Sequence, residues 1–275
     1  QQVEEIRISR NSGIHLMRIT YRSKNNKEYW QKRWDDVEVD EKMENADVYP
    51  LKYAQIAIDD KEGRILEAGC GAGRILRYYH DLGYDITGID FIESVISKLK
   101  TTDSSLKVAP GDITNLDFSD ECFHHVLAFG LYHNLEKGLD EALAETSRVL
   151  VSGGVLCASF RADNLQTLLV DYLAEKNVNH KASAAKIFHK ANFTRNEINQ
   201  YLSGAGLTPV SIYPVVNMPI LYKFGIFRQR AHKDFNENLG RKEGYKLNAI
   251  GNLIQKFLFK FFRYQFCNLF VDILL

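Results

Sequence analysis

From Arg64 onward the sequence alternates between short apolar runs and amphipathic stretches, and this alternation constrains the fold more than any other feature. The runs RILEA, DITGID, HHVLAFG and GVLCASF have the length and apolar character of buried strands. The segments between them predict helices over residues 72–82, 92–100 and 135–150. Such alternation is typical of a parallel sheet covered by helices on both faces, so the sequence predicts an α/β protein.

Composition allows one large domain, with or without an appendage, and gives no sign of a strongly charged chain. The 275 residues are 45% hydrophobic, and Lys plus Arg equals Asp plus Glu at 35 each, so no overall field draws the protein to nucleic acid. The four cysteines lie far apart without CxxC spacing, which argues against a zinc site and a disulfide framework and favours a reducing cytoplasm. The histidines show no metal-ligand spacing either, so we expect no metal.

Residues 65–74, ILEAGCGAGR, place three glycines directly after the first of these strands. A strand ending in Glu67 and a helix beginning near Ala72 need a tight turn, and residues without a Cβ let the backbone curl beside a bound ligand. The helix N-terminus at this edge of the sheet offers free N–H groups and a partial positive charge to a carboxylate or phosphate. A dinucleotide fingerprint would need Gly or Ala where Arg74 stands.

The pattern Glu67-x-Gly69-x-Gly71-x-Gly73 resembles the first motif of the class I S-adenosylmethionine-dependent methyltransferases. Two acids follow in the family's order: Asp90 in GIDFIE at the end of the second strand, and Asp112 in PGDITNLDF after the third. The resemblance covers residues 62–227. It implies a doubly wound, mostly parallel seven-stranded sheet of the Rossmann-like methyltransferase type, with a helical insertion and a C-terminal helical tail.

The resemblance also implies the cofactor and the reaction. S-adenosylmethionine would bind with its amino acid part at the glycine turn, its ribose on Asp90 and its adenine beside Asp112, and in-line methyl transfer would leave S-adenosylhomocysteine. The acceptor would be a small molecule: a sugar, a lipid or a secondary metabolite. The implied cofactor-binding residues are Tyr29, Glu67, Gly69, Cys70, Gly71, Gly73, Asp90, Phe91, Asp112, Ile113 and Phe129.

Aromatic residues precede the core in EYWQKRWDD, where Trp30 and Trp34 would share one face of a helix. The resemblance implies that such a helix closes over the donor, and a sulfonium cation suits an aromatic face. For Tyr29 this covering role and simple packing both stay open, whereas packing is favoured for Trp30. After the fourth strand, FGLYHNLE supplies His133 and Tyr132 as candidate catalytic residues. His133 could take a proton from the acceptor, and a structural role is its alternative.

The sequence divides into an N-terminal segment with the covering helix (1–60), a methyltransferase core (61–227) and a basic, Phe-rich C-terminal helical extension (228–275). Within the core, residues 162–193 form a helical insertion. The runs TPVSIYPVV and PILYKFGIF predict a strand pair that closes the core.

The last part of the extension, residues 250–275, is predicted to be one amphipathic helix with two distinct faces. Its apolar face carries Leu258, Phe262, Phe266, Leu269 and Ile273, and its basic face carries Lys256, Lys260 and Arg263. The charges of Lys260, Arg263 and Asp272 within this stretch argue against a membrane span. Two interpretations stay open: the helix packs on the domain or on a second subunit, giving a homodimer, or it lies on a membrane surface as a peripheral contact.

Two other functions compete with methyl transfer. A nicotinamide-dependent Rossmann oxidoreductase is disfavoured by Arg74, and a non-catalytic cofactor-binding protein would keep the same fold. Nucleic acid as the acceptor is disfavoured, because no recognisable binding module is present and FGLY stands where amino-methylating nucleic-acid enzymes carry an NPPY-type loop.

Overall fold

A computed structural model describes residues 17–22, 26–35, 39, 42–58, 63–177, 187–235, 239–240 and 243–274. The strands in these ranges are β1 (Arg18–Arg22), β2 (Arg64–Ala68), β3 (Asp85–Asp90), β4 (Lys107–Pro110), β5 (Phe123–Ala128), β6 (Leu150–Arg161), β7 (Ile187–Asn192), β8 (Pro209–Val215) and β9 (Leu269–Leu274). The helices are α1 (Asn26–Asp35), α2 (Leu51–Ala57), α3 (Arg74–Asp81), α4 (Glu93–Thr102), α5 (Leu139–Val149), α6 (Leu165–Asn177), α7 (Arg195–Gly204) and α8 (Ala249–Phe262).

Seven of these strands form one sheet in the order β4-β3-β2-β5-β6-β9-β8. Strands β2 to β6 are mutually parallel, and β9 runs antiparallel to both of its neighbours, β6 and β8. The predicted seven-stranded, mostly parallel sheet is confirmed.

Helices cover both faces of the sheet because successive strand side chains point to opposite sides. Leu66 and Val126 belong to a core that includes residues of α5 and α7. Their chain neighbours Ile65 and Leu127 belong to a second core that includes residues of α2, α3 and α4. The doubly wound arrangement therefore follows from strands that are apolar on both faces.

A capping box formed by Thr194 and Glu197 begins α7. The Glu197 backbone N–H donates to Thr194 Oγ1 over 3.3 Å, and the Thr194 N–H donates to the Glu197 carboxylate over 2.7 Å. The last helical residue is Gly204, and Gly206 follows with a positive φ of 78°, as expected for a glycine just beyond a helix.

The C-terminal segment differs from the prediction of one long helix. Helix α8 ends at Phe262, and residues 269–274 form β9, which lies inside the sheet. The run PILYKFGIF, predicted as the partner of β8, instead forms short 3₁₀ turns over Ile220–Lys223 and Gly225–Phe227. Because β9 completes the core sheet, the chain after residue 227 is not simply a helical extension.

The predicted helical insertion is only partly helical. Helix α6 lies in it, but its last residues form β7, which pairs antiparallel with β1 in a separate two-stranded sheet. Residues 178–186 lie outside the described ranges. The helix predicted around Trp30 and Trp34 is confirmed as α1. Among the described helices, none has both the length and the apolar character needed to cross a bilayer.

Candidate functional site

A cleft of about 1370 Å³ opens at the carboxyl ends of the parallel strands. The segments that follow β2, β3, β4 and β5 all contribute to its wall, as expected for ligand sites in open α/β sheets. Ten of the predicted cofactor residues line it together: Tyr29, Glu67, Gly69, Cys70, Gly71, Asp90, Phe91, Asp112, Ile113 and Phe129.

The glycine turn is fixed by backbone hydrogen bonds to the neighbouring strand. The N–H groups of Gly69 and Cys70 both donate to the carbonyl oxygen of Ile89, over 2.8 and 2.9 Å. Gly71 has a positive φ of 50°, and a Cβ added there would lie 2.5 Å from the ring of Trp34. Glycine is therefore required at position 71 by both backbone conformation and space.

Asp90 connects the glycine turn to the start of α4. One carboxylate oxygen accepts from the Gly71 N–H over 2.9 Å, and the other accepts from the Ile92 N–H over 3.0 Å. The side chain is buried, and burial raises its pKa. Each oxygen has a second lone pair, so the carboxylate can still accept from two ligand hydroxyls.

Glu67 lies beneath the turn and holds the first part of α3. Its Oε2 accepts from the Leu76 N–H over 2.8 Å, and burial raises the pKa of the carboxyl to about 8. The nearby charge of Asp90 raises it further. Glu67 is therefore largely uncharged at neutral pH, which lowers the negative charge beneath the glycine turn.

Gly73 is absent from the lining of the cleft, in contrast to its predicted cofactor contact. Its φ is 72°, and an added Cβ would lie 2.7 Å from Leu99 Cδ2. Within the described structure this glycine serves the close packing of α3 against α4.

The wall after β3 and β4 combines a carboxylate with apolar surface. Asp112 Oδ1 accepts from the backbone N–H and the hydroxyl of Thr114, over 2.9 and 2.8 Å. Ile113 is buried beside it, and Phe91 is 45% exposed at the opening. Across the cleft Phe129 packs edge-on against Tyr49. These groups can hold a flat, polar-edged ring.

Helix α1 covers the cleft with aromatic side chains. Its Gln31 donates to Ser94 Oγ over 2.7 Å, and Lys98 Nζ donates to the Trp34 carbonyl over 2.7 Å. These two hydrogen bonds hold α1 against α4. Trp30 and Trp34 stack with centroids 5.7 Å apart, and both line the cleft with Tyr29. Sequence reasoning assigned only Tyr29 to the site. The i, i+4 spacing of the two tryptophans is the signal that identifies Trp34 as well.

The two candidate catalytic residues lie in different environments. Tyr132 is fully buried, stacks on Phe160 and shares a hydrogen bond of 2.7 Å with Thr146 Oγ1. It is absent from the cleft lining, so its position fits packing and not the predicted catalytic role.

His133 does line the cleft, where it is 5% exposed. Burial lowers the pKa of its imidazole to about 3, and the nearby positive charges of Lys190 and Arg161 add to the effect. The ring is therefore neutral at pH 7 and a weak base.

A basic region at the far end of the cleft was not predicted. Arg161, His189, Lys190 and Lys223 line it. Arg161 is held by an ion pair of 2.8 Å with Asp171 and by a hydrogen bond of 2.6 Å to Asn192. Arg161 could have been identified from the sequence, as a charged residue at the end of the buried strand β6. The others come from β7 and the turns after β8, whose position only the fold decides.

Comparisons with known proteins agree with this geometry. A family model described as a methyltransferase domain matches residues 66–158, which run from within β2 to within β6. The chain is 30% identical over 104 residues to malonyl-[acyl-carrier protein] O-methyltransferase of Pectobacterium atrosepticum, which is 36% of this chain and 39% of that protein. It is 34% identical over 94 residues to demethylmenaquinone methyltransferase of Renibacterium salmoninarum, which is 34% of this chain and 39% of that protein.

The chain thus spans 39% of the length of each of these two curated relatives. Among solved structures, a S-adenosylmethionine-dependent methyltransferase from Methanosarcina mazei superposes with a TM-score of 0.54 at 18% identity, covering 82% of this chain and 97% of that one. At this identity the similarity demonstrates a shared fold.

Proposed function

We propose that this chain is a class I S-adenosylmethionine-dependent methyltransferase, and that it transfers a methyl group from S-adenosylmethionine to a small-molecule acceptor. The observation that carries the proposal is the position of Asp90, whose two oxygens accept from the glycine turn and from the start of α4 inside the cleft. A carboxylate there can bind two adjacent hydroxyls such as those of a ribose.

The other parts of the donor have matching surfaces. Gly69 and Gly71 have no side chains, so the backbone of the turn is accessible to the amino acid part of the donor, next to the N-terminus of α3. Ile113 and Phe91 offer apolar surface for adenine, and Asp112 can accept from its amino group. The aromatic rings of α1 suit a sulfonium.

S-adenosylmethionine supplies a methyl group on a positively charged sulfur. When bound, it would supply this methyl group to the electron pair of an acceptor atom, and the electrons of the carbon–sulfur bond would remain on sulfur. The protein's part is to hold the acceptor in line with that bond and to exclude water. His133 has too low a pKa to be an efficient base at neutral pH, so we assign it a hydrogen bond that orients the acceptor.

We further propose that the acceptor carries a negative charge. The far end of the cleft is lined by Arg161, Lys190 and Lys223. Burial is the main cause of the lowered pKa of His133, and the positive charges of Lys190 and Arg161 add to it. The two curated relatives are named for malonyl-[acyl-carrier protein] and demethylmenaquinone, which supports a small or carrier-linked acceptor more than a nucleic acid.

Calorimetry of the purified chain tests the donor. We expect S-adenosylmethionine and S-adenosylhomocysteine to bind, NAD to give no heat, and Asp90→Asn to weaken binding roughly 10- to 100-fold, the effect of losing a charged hydrogen-bond acceptor. Asp85→Asn, at the exposed amino end of the same strand, is the matched control and should bind like the wild type. Tight NAD binding without S-adenosylmethionine binding would favour the oxidoreductase alternative.

The acceptor is tested with isotope-labelled methyl groups on matched pairs of compounds, each a carboxylate or phosphate and its neutral amide or alcohol. We expect label to enter only the anionic member of a pair. Equal labelling of both members would contradict the charge assignment and leave the donor assignment intact.

A further inference from the structure

Helix α8 presents a stripe of large apolar side chains to solvent. Ile250, Leu253, Phe257 and Phe261 are 66, 70, 55 and 60% exposed. Their spacing of three and four residues places them on one side of the helix. Isolated exposed apolar residues are ordinary on protein surfaces, but a continuous stripe of this kind marks an interaction site.

The stripe is not the side by which α8 packs on the domain. Gly251 is buried, and a Cβ there would lie 2.9 Å from the carbonyl oxygen of Phe227. Ile254 and Leu258, on the same side as Gly251, are half-buried. The domain therefore occupies one side of the helix, and the neighbouring apolar side is left uncovered by any described residue.

The apolar surface continues beyond the helix. Asn248, which caps α8, donates from its side chain to the carbonyl of Ile226 over 2.7 Å and so holds the preceding turn against the start of the helix. In that turn Ile226 is 78% exposed and Phe224 is 44% exposed. Lys223, next in the chain, lines the cleft. The surface thus begins beside the proposed acceptor end.

Cations accompany this apolar surface. Lys256, Lys260 and Arg263 are exposed along one flank of the stripe, and residues 249–263 contain no acid. Exposed phenylalanines beside lysines are typical of helices that lie in the interface of a bilayer containing anionic lipids. If α8 of a second copy of the chain packed against this stripe instead, it would bring the same cations and no acid to pair with them.

We propose that the exposed side of α8, together with Phe224 and Ile226, binds the surface of a membrane that contains anionic lipids. The apolar side chains enter the boundary between headgroups and acyl chains, and the lysines lie at the level of the phosphates. This docking leaves the glycine turn and Asp90 untouched, so it is independent of the proposed activity.

Flotation of the full chain with lipid vesicles tests the proposal. We expect binding to phosphatidylcholine vesicles that contain phosphatidylglycerol and weaker binding to phosphatidylcholine alone. The double variant Leu253→Ser/Phe257→Ser should lose more than about tenfold in affinity, from the apolar area no longer buried. Lys256→Gln/Lys260→Gln should lose roughly 30-fold on the anionic vesicles only.

The matched control is Val210→Ser, which removes a 56% exposed apolar side chain at the other end of the sheet and should bind like the wild type. Circular dichroism and S-adenosylhomocysteine binding report whether each variant keeps its fold. The proposal is overturned if the wild type ignores anionic vesicles, or if Val210→Ser and Leu253→Ser/Phe257→Ser bind equally. It is also overturned if the wild type instead forms a dimer that the double variant abolishes.

Discussion

Asp272 is a carboxylic acid held in the interior of the sheet. It lies on β9, is fully buried, and neither carboxyl oxygen has a hydrogen bond of normal geometry to any described residue. Burial raises the pKa of this carboxyl to about 7. In the unfolded chain the pKa returns to about 4, so the native state takes up a proton between these pH values. The contribution of Asp272 to stability therefore falls as pH rises from 4 to 7.

Substitution of Asp272 by Asn removes the titrating carboxyl and keeps a side chain of nearly the same size and shape. At pH 8 we expect Asp272→Asn to stabilise the fold by about 1–3 kcal/mol, because the wild type then carries a buried unpaired charge. At pH 4 the two proteins should be nearly equal, since the acid is then largely neutral in both the folded and the unfolded chain. Urea unfolding at both pH values checks this, with the exposed Asp85→Asn as control. The same difference at both pH values would contradict the pKa assignment.

At the scale of elements, β9 has the largest structural effect for its length. It is inserted between β6 and β8, so it completes the backbone hydrogen bonding of two strands. Its residues Phe270 and Val271 are buried in the cores on opposite faces of the sheet. An edge strand could be lost at modest cost, but an internal strand cannot be removed without exposing two edges.

We therefore expect Phe270→Ala to destabilise the protein by about 3–5 kcal/mol, the usual cost of truncating a buried phenylalanine. Ile226→Ala, at a 78% exposed position, should change stability little. Denaturant unfolding of both variants measures the difference. A Phe270→Ala protein as stable as Ile226→Ala would show that the C-terminal segment is an appendage after all.

Elements differ in how far their sequence specifies them. The helices α3, α5 and α7 are local: each shows helical periodicity or a cap in its own residues, as the Thr194 capping box does. The run LFVDIL of β9 has no such local signature. An apolar run that follows a helical pattern is as compatible with a continued helix as with a strand. Its pairing with Leu156 to Arg161, more than a hundred residues earlier, decides the outcome.

For the molecule as a whole, the cleft is the structure that unites distant parts of the chain. Its wall includes α1 near the start, the glycine turn, His133 in the middle and Leu269 near the end. Unfolding separates all of these residues, so a ligand of the cleft binds only the folded chain. Binding must therefore raise the stability of the entire fold.

We expect S-adenosylhomocysteine at about one hundred times its Kd to add roughly 2.7 kcal/mol of stability and to raise Tm by about 5–10 °C. The same concentration should shift Asp90→Asn far less, and NAD should shift neither protein. Differential scanning fluorimetry gives all of these values in one experiment. An unchanged Tm for the wild type at that concentration would contradict donor binding in the cleft.

The sequence by itself determined the alternating architecture and the side of the cleft that the glycine turn forms, because both depend on short-range patterns: strand and helix periodicity, glycines in a tight turn, and acids at strand ends such as Asp90. Only the tertiary structure decided which side chains meet from far apart. It placed Trp34 over Gly71, buried Tyr132 away from the cleft, gathered Arg161 and Lys190 at its far end and turned the last residues into an internal strand. These outcomes depend on packing and strand pairing between distant segments, which no local pattern encodes.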